Sequence, residues 1–304
     1  MSTLSVVIAT KDRAAFLEHA LASLEAQTGA PTFETIVVDN GSSDATPEVV
    51  RATQARGRMA TSLVSLARPN RAAARNAGIA AAGGELIAFV DDDVVLPPHF
   101  LAAHAVAHTA GGAAVVTGPI LNVPSYEARP KPAWHNYSGA FLCTCNASAP
   151  RASLLAVGGF DESFDLYGWE DTELGLRLRH CGLRHTFAWN AYVWHIKPPQ
   201  SETIELVLGK TVERARMAAR LVRKAPSWRS KLATGAYGLN LVRSTLLAPP
   251  WSLAAYRRLA ANAGVPGLLR AVARAQLLDG SYTATLRQAL TEERRENDVA
   301  ERTS

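Results

Sequence analysis

Apolar residues along the chain come first as unbroken runs and then at helical spacing. LSVVIAT (residues 4–10) has no polar/apolar alternation, the pattern of a strand buried on both faces. Residues Ala14–Gln27 follow, with Phe16, Leu17, Ala20, Leu21 and Leu24 on one helical face. ETIVVDN (34–40) predicts a second strand. SSDATPEVV then opens a second helix, with Thr46 as N-cap, Pro47 at the first helical position and Glu48 in the first turn. TSLVSLA (61–67) and ELIAFVD (85–91) are further strands. The Ala-rich helix Arg71–Ala82 lies between them, closed by Gly83 and Gly84. This βα rhythm predicts an α/β protein with a doubly wound, mostly parallel sheet flanked by helices.

After AAVVTG (113–118) the rhythm changes. Residues 119–138 hold four prolines and two tyrosines without periodicity, which predicts a long loop. FLCTCNAS (141–148) is read as a strand and Arg151–Val157 as a short helix ended by Gly158. Trp169–Cys181 is read as a helix stopped by Gly182. From Ser201 onward the chain is helical, basic and Ala-rich. The expected organisation is an α/β region over 1–200, divided near 118 where the rhythm changes, followed by a helical C-terminal extension over 201–304.

Composition narrows the class. Of 304 residues, 48% are hydrophobic and 19% charged, as in a globular protein with a sizeable core. Cys143, Cys145 and Cys181 make neither a disulfide framework nor a zinc spacing, and the first apolar run is too short for a signal peptide. A reducing, cytoplasmic setting is expected. Charge is uneven: residues 1–200 carry 15 Lys and Arg against 18 Asp and Glu, and residues 201–304 carry 17 against 9. The basic part lacks an aromatic stacking pattern or a zinc-finger spacing, so nucleic acid is not the expected partner. An anionic membrane surface or an acidic substrate fits as well.

Three expected strands end in polar residues: Thr10-Lys11-Asp12, Asp39-Asn40 and Asp91-Asp92-Asp93. Ligands of open α/β sheets bind beyond such ends. Three adjacent carboxylates repel unless positive charge sits among them. If strand geometry persists through the triplet, Asp91 and Asp93 share a side and suit a hard cation such as Mg²⁺ or Mn²⁺. The other reading is an acidic flank to the helix after Pro97 and Pro98. No G-x-G-x-x-G or G-x-x-x-x-G-K-[ST] loop is present, which argues against dinucleotide enzymes and P-loop NTPases.

Five segments in order, SVVIATKDRAAFLEHALASL, IVVDNGSSDAT, NRAAARNAGIAAAGGELIAFVDDDVVLPP, GGFDESF and GWEDTELGLRLRHCG, resemble family-2 glycosyltransferases of GT-A fold over about residues 3–198. The resemblance implies transfer of a sugar, of hexosyltransferase type and with inversion, from a nucleotide-diphosphate sugar. UDP-sugars are the commonest donors, with dTDP and GDP sugars also open. It implies that Asp93 binds the metal, that Asp91 contacts the nucleoside or the metal shell within the D-x-D match that includes Asp92, and that Asp39 reads the base. Thr10 and Arg13 would line the nucleotide pocket and Arg75 would lie near the nucleotide. Ala9-Thr10-Lys11-Asp12-Arg13 departs from the family's P-T-Y-N-R, which leaves the base contacts open. The Q-x-x-R-W signature of processive synthases is absent, which points to a single transfer in glycan or glycolipid synthesis.

Glu170 and Asp171 occupy the first turn of a helix, where acidic residues ordinarily complement the dipole. The family pattern makes Asp171 the base for the acceptor hydroxyl, and Glu170 then orients the acceptor or a backbone N–H. His195 either completes the metal site or packs beside Trp194. Trp169, rather than Trp134, is the residue expected to stack on a sugar. Two other readings are a sugar nucleotidyltransferase, which lacks its Gly-rich loop here, and a nucleotide-sugar-binding module without catalysis. The C-terminal stretch Ser244–Tyr256 is uncharged, flanked by Arg243, Arg257 and Arg258, and too short to span a bilayer. It is expected either to lie in a membrane interface, with Leu246, Leu247 and Trp251 inserted, or to belong to a helical subdomain that packs on the sheet or forms a homodimer.

Overall fold

A computed structural model describes residues 4–303 except 110, 112, 199–202 and 263. The chain divides into two compact units, Met1–Asp165 with Glu170–Pro199, and Leu166–Trp169 with Gln200–Ser304. The expected boundary at 200/201, with Ser201, lies outside the described residues.

The first unit begins with β1 (Leu4–Thr10), α1 (Ala14–Glu25), β2 (Phe33–Asp39), α2 (Thr46–Arg56), β3 (Ala60–Ser65), α3 (Arg71–Ala81) and β4 (Leu86–Val90). There follow β5 (Val94–Val95), α4 (Phe100–Thr109), β6 (Ala114–Thr117), β7 (Ile120–Val123), β8 (Asn146–Pro150), α5 (Arg151–Ala156), α6 (Glu170–His180), β9 (Arg184–Phe187) and β10 (Val193–Ile196). The main sheet has the order β3-β2-β1-β4-β8-β6-β9, and within it β8 alone runs antiparallel to its neighbours. A second sheet, β5-β10-β7, carries the end of the triplet segment.

Period-2 geometry explains the unbroken apolar runs. Val7, Ile36, Val38, Ile87 and Phe89 face one layer, with Ile79 of α3, Leu154 of α5 and Leu174 of α6. Val6, Ile8, Val37, Ala88 and Val90 face the other, with Leu17 and Leu21 of α1, Val50 of α2 and Phe100 of α4. Each strand therefore needs apolar residues at successive positions. At Gly78 of α3 a Cβ would overlap a Val7 methyl, so this helix lies directly on β1.

Local departures have local causes. The helix α2 begins at Thr46 itself; Asp44 Oδ1 accepts from the Thr46 amide at 3.0 Å and from its hydroxyl, so Asp44 rather than Thr46 ties down this end. Residues 119–138 hold β7 instead of only loop, because Ile120–Val123 pairs with the distant β10. The strand expected over 141–148 starts only at Asn146.

The second unit is helical: α7 (Ile204–Lys224), α8 (Trp228–Thr234), α9 (Gly238–Leu247), α10 (Leu253–Ala261) and α11 (Gly267–Thr303). Thr203 caps α7, accepting from the Leu206 amide. Gly280 lets α11 approach Ala248 and Leu253, where a Cβ would come within 2.7 Å of both side chains. Among the described residues no helix is long and apolar enough to cross a membrane.

Candidate active site

β1 lies between β2 and β4, so the winding direction reverses there and leaves a crevice beyond the carboxyl ends of β1 and β4. Thr10 and Asp39 end β1 and β2 at this edge. The Asn40 amide donates to the Thr10 carbonyl at 2.8 Å, and Asp39 Oδ1 accepts from the Ser42 amide at 2.8 Å. Asp12, at a left-handed φ of 52°, accepts from the Ser43 amide at 2.7 Å. Its own amide donates to Ser42 Oγ. The loops after β1 and β2 are thus latched together, and Arg13 stands at the start of α1.

β4 stops at Val90, so the triplet lies beyond the strand and the condition for Asp91 and Asp93 to share a side is not met. Each carboxylate has its own surroundings. Asp92 accepts from Thr10 Oγ1 at 2.7 Å; burial pushes it up to about 7, against the pull of Arg13. Asp91 turns to Arg75, 3.8 Å away, and burial raises its pKa. Asp93 lies 2.9 Å from Arg13 Nη1, 3.8 Å from Lys197 Nζ and 3.1 Å from His195 Nε2. Burial would raise Asp93 as well, but His195 with a proton on Nε2, together with Arg13 and Lys197, holds it below the usual carboxylate range.

The small sheet supplies His195. In register, His195 stands beside Asn122 of β7 and Val94 of β5, the residue after Asp93. Its Nδ1 is 2.9 Å from Asn122 Oδ1, which can only accept, so Nδ1 carries the proton. In the neutral ring, Nε2 then presents a lone pair towards Asp93 Oδ1, buried and without a hydrogen-bond partner. Two acceptors at 3.1 Å repel unless a cation or a second ring proton lies between them. This pair suits a divalent cation. Among the described residues no three His, Cys, Asp or Glu side chains converge on one point, so such an ion would need further oxygens from a ligand.

The second acidic group is built differently. Gly168 and Trp169 have φ of 94° and 76°, and Trp169 is a rare bulky residue in the left-handed region immediately before α6. Glu170 is buried; its Oε1 lies 2.9 Å from Arg75 Nη1, while Oε2 is buried without a partner. Asp171 Oδ1 accepts from the Thr172 amide at 2.7 Å. Burial and the neighbouring Glu170 push Asp171 up to about 6, with Arg75 acting in the opposite sense. Arg75 therefore stands between Asp91 and Glu170 and joins the two acidic groups.

Cys145 is buried against Asp91, and Cys143 is pushed up to about 12 by burial and by Asp171 and Asp91. Both thiols stay protonated. Trp169 groups with the C-terminal unit: its indole is buried, its N–H donates to the Arg214 carbonyl at 2.8 Å, and the Arg214 guanidinium lies over its ring. That burial leaves no open ring face for the expected sugar stacking. Trp134 is exposed. Sequence reasoning missed Lys197 and Asn122. Lys197 carried a signal, two residues beyond His195 at strand spacing; Asn122 lay in a stretch read as loop.

The model of the family described as glycosyl transferase family 2 matches residues 5–158, half of the chain. The chain belongs to glycosyltransferase family 2. A second model, the N-terminal domain of galactosyltransferase, matches residues 127–200 and so covers Glu170, Asp171 and His195. Validoxylamine A glucosyltransferase of Streptomyces hygroscopicus subsp. limoneus is 32% identical over 263 residues. That match covers 74% of this chain but only 57% of the relative's length. In structure, this family-2 member resembles the mannosyltransferase PcManGT from Pyrobaculum calidifontis in complex with GDP-Man and Mn²⁺. The TM-score is 0.65 at 20% identity, covering 95% of this chain and 87% of the other. S. aureus TarS 1–349 in complex with UDP-GlcNAc follows at TM-score 0.55 and 20% identity, over 97% and 92%. The fold is GT-A, and the chain continues into a helical C-terminal region.

Proposed function

We propose that the protein transfers a single sugar, with inversion, from a nucleotide-diphosphate sugar to an acceptor hydroxyl in glycan or glycolipid synthesis. The observation that carries this is the approach of His195 Nε2 to Asp93 Oδ1, 3.1 Å, at the carboxyl ends of β1 and β4. Asp93 and His195 would hold Mn²⁺ or Mg²⁺, with Asp91 in the surrounding shell, and the ion would supply Lewis-acid neutralisation of a departing diphosphate. Arg13 and Lys197 already stand at Asp93 and add positive charge for the same oxygens. Thr10, Asp39 and Asp92 line the nucleotide side.

Asp171 is the group that takes the proton. As the acceptor oxygen bonds to the anomeric carbon, its proton passes to the Asp171 carboxylate. The bond from that carbon to the diphosphate oxygen breaks on the opposite face, its electron pair leaving with the nucleotide. A base needs a proton affinity near the working pH, and a value of about 6 meets that need. Glu170 holds Arg75 and positions the base. Trp169 contributes through its backbone, which sets where α6 starts.

Two structural neighbours support a nucleotide-sugar donor, PcManGT being seen with GDP-Man and TarS with UDP-GlcNAc, and we take a UDP-sugar as the first to test. Nucleotide release from UDP-glucose, UDP-GlcNAc and GDP-mannose is measured with Mn²⁺ and with excess EDTA. Release that requires the metal and is lost in Asp93→Ala supports the reading. Undiminished release in EDTA sinks it. Stabilisation by a nucleotide triphosphate but not by any diphosphate would favour a sugar nucleotidyltransferase instead.

A further inference from the structure

We propose that the outward face of the C-terminal unit, made by α9, the turn after it and the first turns of α11, docks onto an anionic lipid bilayer. This is independent of the transfer reaction. From Arg214 to Arg287 the chain holds 13 Lys and Arg and a single acid, Asp279, and that acid is paired with Arg243 at 2.9 Å.

Within this cationic stretch the exposed side chains are apolar to an unusual degree. Leu239 is 80% exposed and Leu246 77%, with Val242 between them at i, i+3, i+7 spacing, one stripe of α9. The opposite side of α9 is already used: Ser244 bonds Thr283, Arg287 reaches the Leu241 carbonyl, and Ala248 lies on Gly280. The stripe is thus the side turned away from α11. Trp251 follows at 83% exposed in the turn Pro250–Ser252, and Leu268, Leu269 and Val272 are exposed at the start of α11. Arg257 and Arg258 of α10 and Arg274 of α11 are exposed as well, Arg257 reaching Glu205 at 3.4 Å.

Charge selects the occupant. A second copy would bring the same excess of positive charge to the contact and be repelled. An anionic bilayer supplies the opposite charge, accepts leucines below its headgroups and seats a tryptophan at their level. Each of these helices is too short or too polar to span, so the unit would lie in the interface.

The test is vesicle flotation of the full chain with phosphatidylcholine alone and with phosphatidylcholine and phosphatidylglycerol at a ratio of about 7:3, at low and high salt. Binding only to the phosphatidylglycerol vesicles, with release by salt, is the expected result. Arg257→Gln with Arg258→Gln weakens binding by about tenfold or more, as does Leu246→Ser with Trp251→Ser, with unchanged melting curves. Absence of flotation at low salt overturns the proposal. Undiminished flotation of both double variants overturns the assigned face. A concentration-dependent dimer that Trp251→Ser abolishes overturns the occupant in favour of a second copy.

Discussion

Asp91–Asp93 and Glu170–Asp171 are both acidic groups at the ends of secondary-structure elements, yet their electrostatics differ. Asp93 of the first group gathers Arg13, His195 and Lys197, and is held below the ordinary carboxylate range. The second group has Arg75 near it, which pairs with Glu170, and Asp171 is left at about 6. In the proposed reaction the carboxylate crowded by cations would exchange them for a metal and a diphosphate. The one whose burial is incompletely offset would take the proton. Neighbours thus give two carboxylates of the same type different proton affinities.

That contrast can be broken most sharply at Asp171. Asp171→Asn keeps the shape without the proton affinity, and kcat is expected to fall by about 10²–10⁴ with the donor KM little changed. A near-normal kcat would move the base to Glu170. As the proposed base, Asp171 would work only when ionised, so kcat should fall about tenfold per pH unit below about 6. A limb lying near pH 4 instead would show that Asp171 does not carry the raised proton affinity.

On the cation-rich side, Asn122→Leu removes the acceptor that keeps the His195 Nδ1 protonated and Nε2 open. Mn²⁺ affinity in the presence of UDP, followed by the spin-resonance signal of free Mn²⁺, is expected to weaken about 10–100-fold. Unchanged affinity would remove His195 from the proposed metal site. The smallest effect is on stability. A carboxyl whose folded pKa is raised binds its proton more tightly when folded. Its ionised form therefore costs stability above pH 6, and the cost fades as pH falls towards the unfolded value near 4. Asp171→Asn should raise Tm by about 2–4 °C at pH 7.5, the shift that ~1 kcal/mol produces in a domain of this size, and by less at pH 5. A lowered Tm at pH 7.5 would mean that the carboxylate is well compensated after all.

Much of the sheet was legible because strands buried on both faces must be apolar throughout, as Leu4–Thr10 and Leu86–Val90 are. The helix end marked by Gly182 was legible for an equally local reason. What escaped depends on partners far away in sequence. Ile120–Val123 is a strand because β10 pairs with it some 70 positions later, a register invisible in a proline-rich stretch. The candidate carboxylates stood out by their run, but the turn after Val90 that sends Asp91 and Asp93 to different cations did not. Trp169 was legible as a neighbour of the acidic pair and illegible as a buried ring, because Arg214 reaches it from another helix.

Arg75 is shared between Asp91 and Glu170, beside the proposed base, so the two halves of the reaction draw on one counter-ion. Any ligand that changes the charge felt at Asp91 alters how strongly Arg75 favours ionised Asp171, and linkage makes the effect reciprocal. Protonating Asp171 must change that ligand's affinity by the same factor that the ligand changes the proton's. If the proposed roles hold, donor loading and readiness of the base are coupled quantities, tied through the one guanidinium of Arg75.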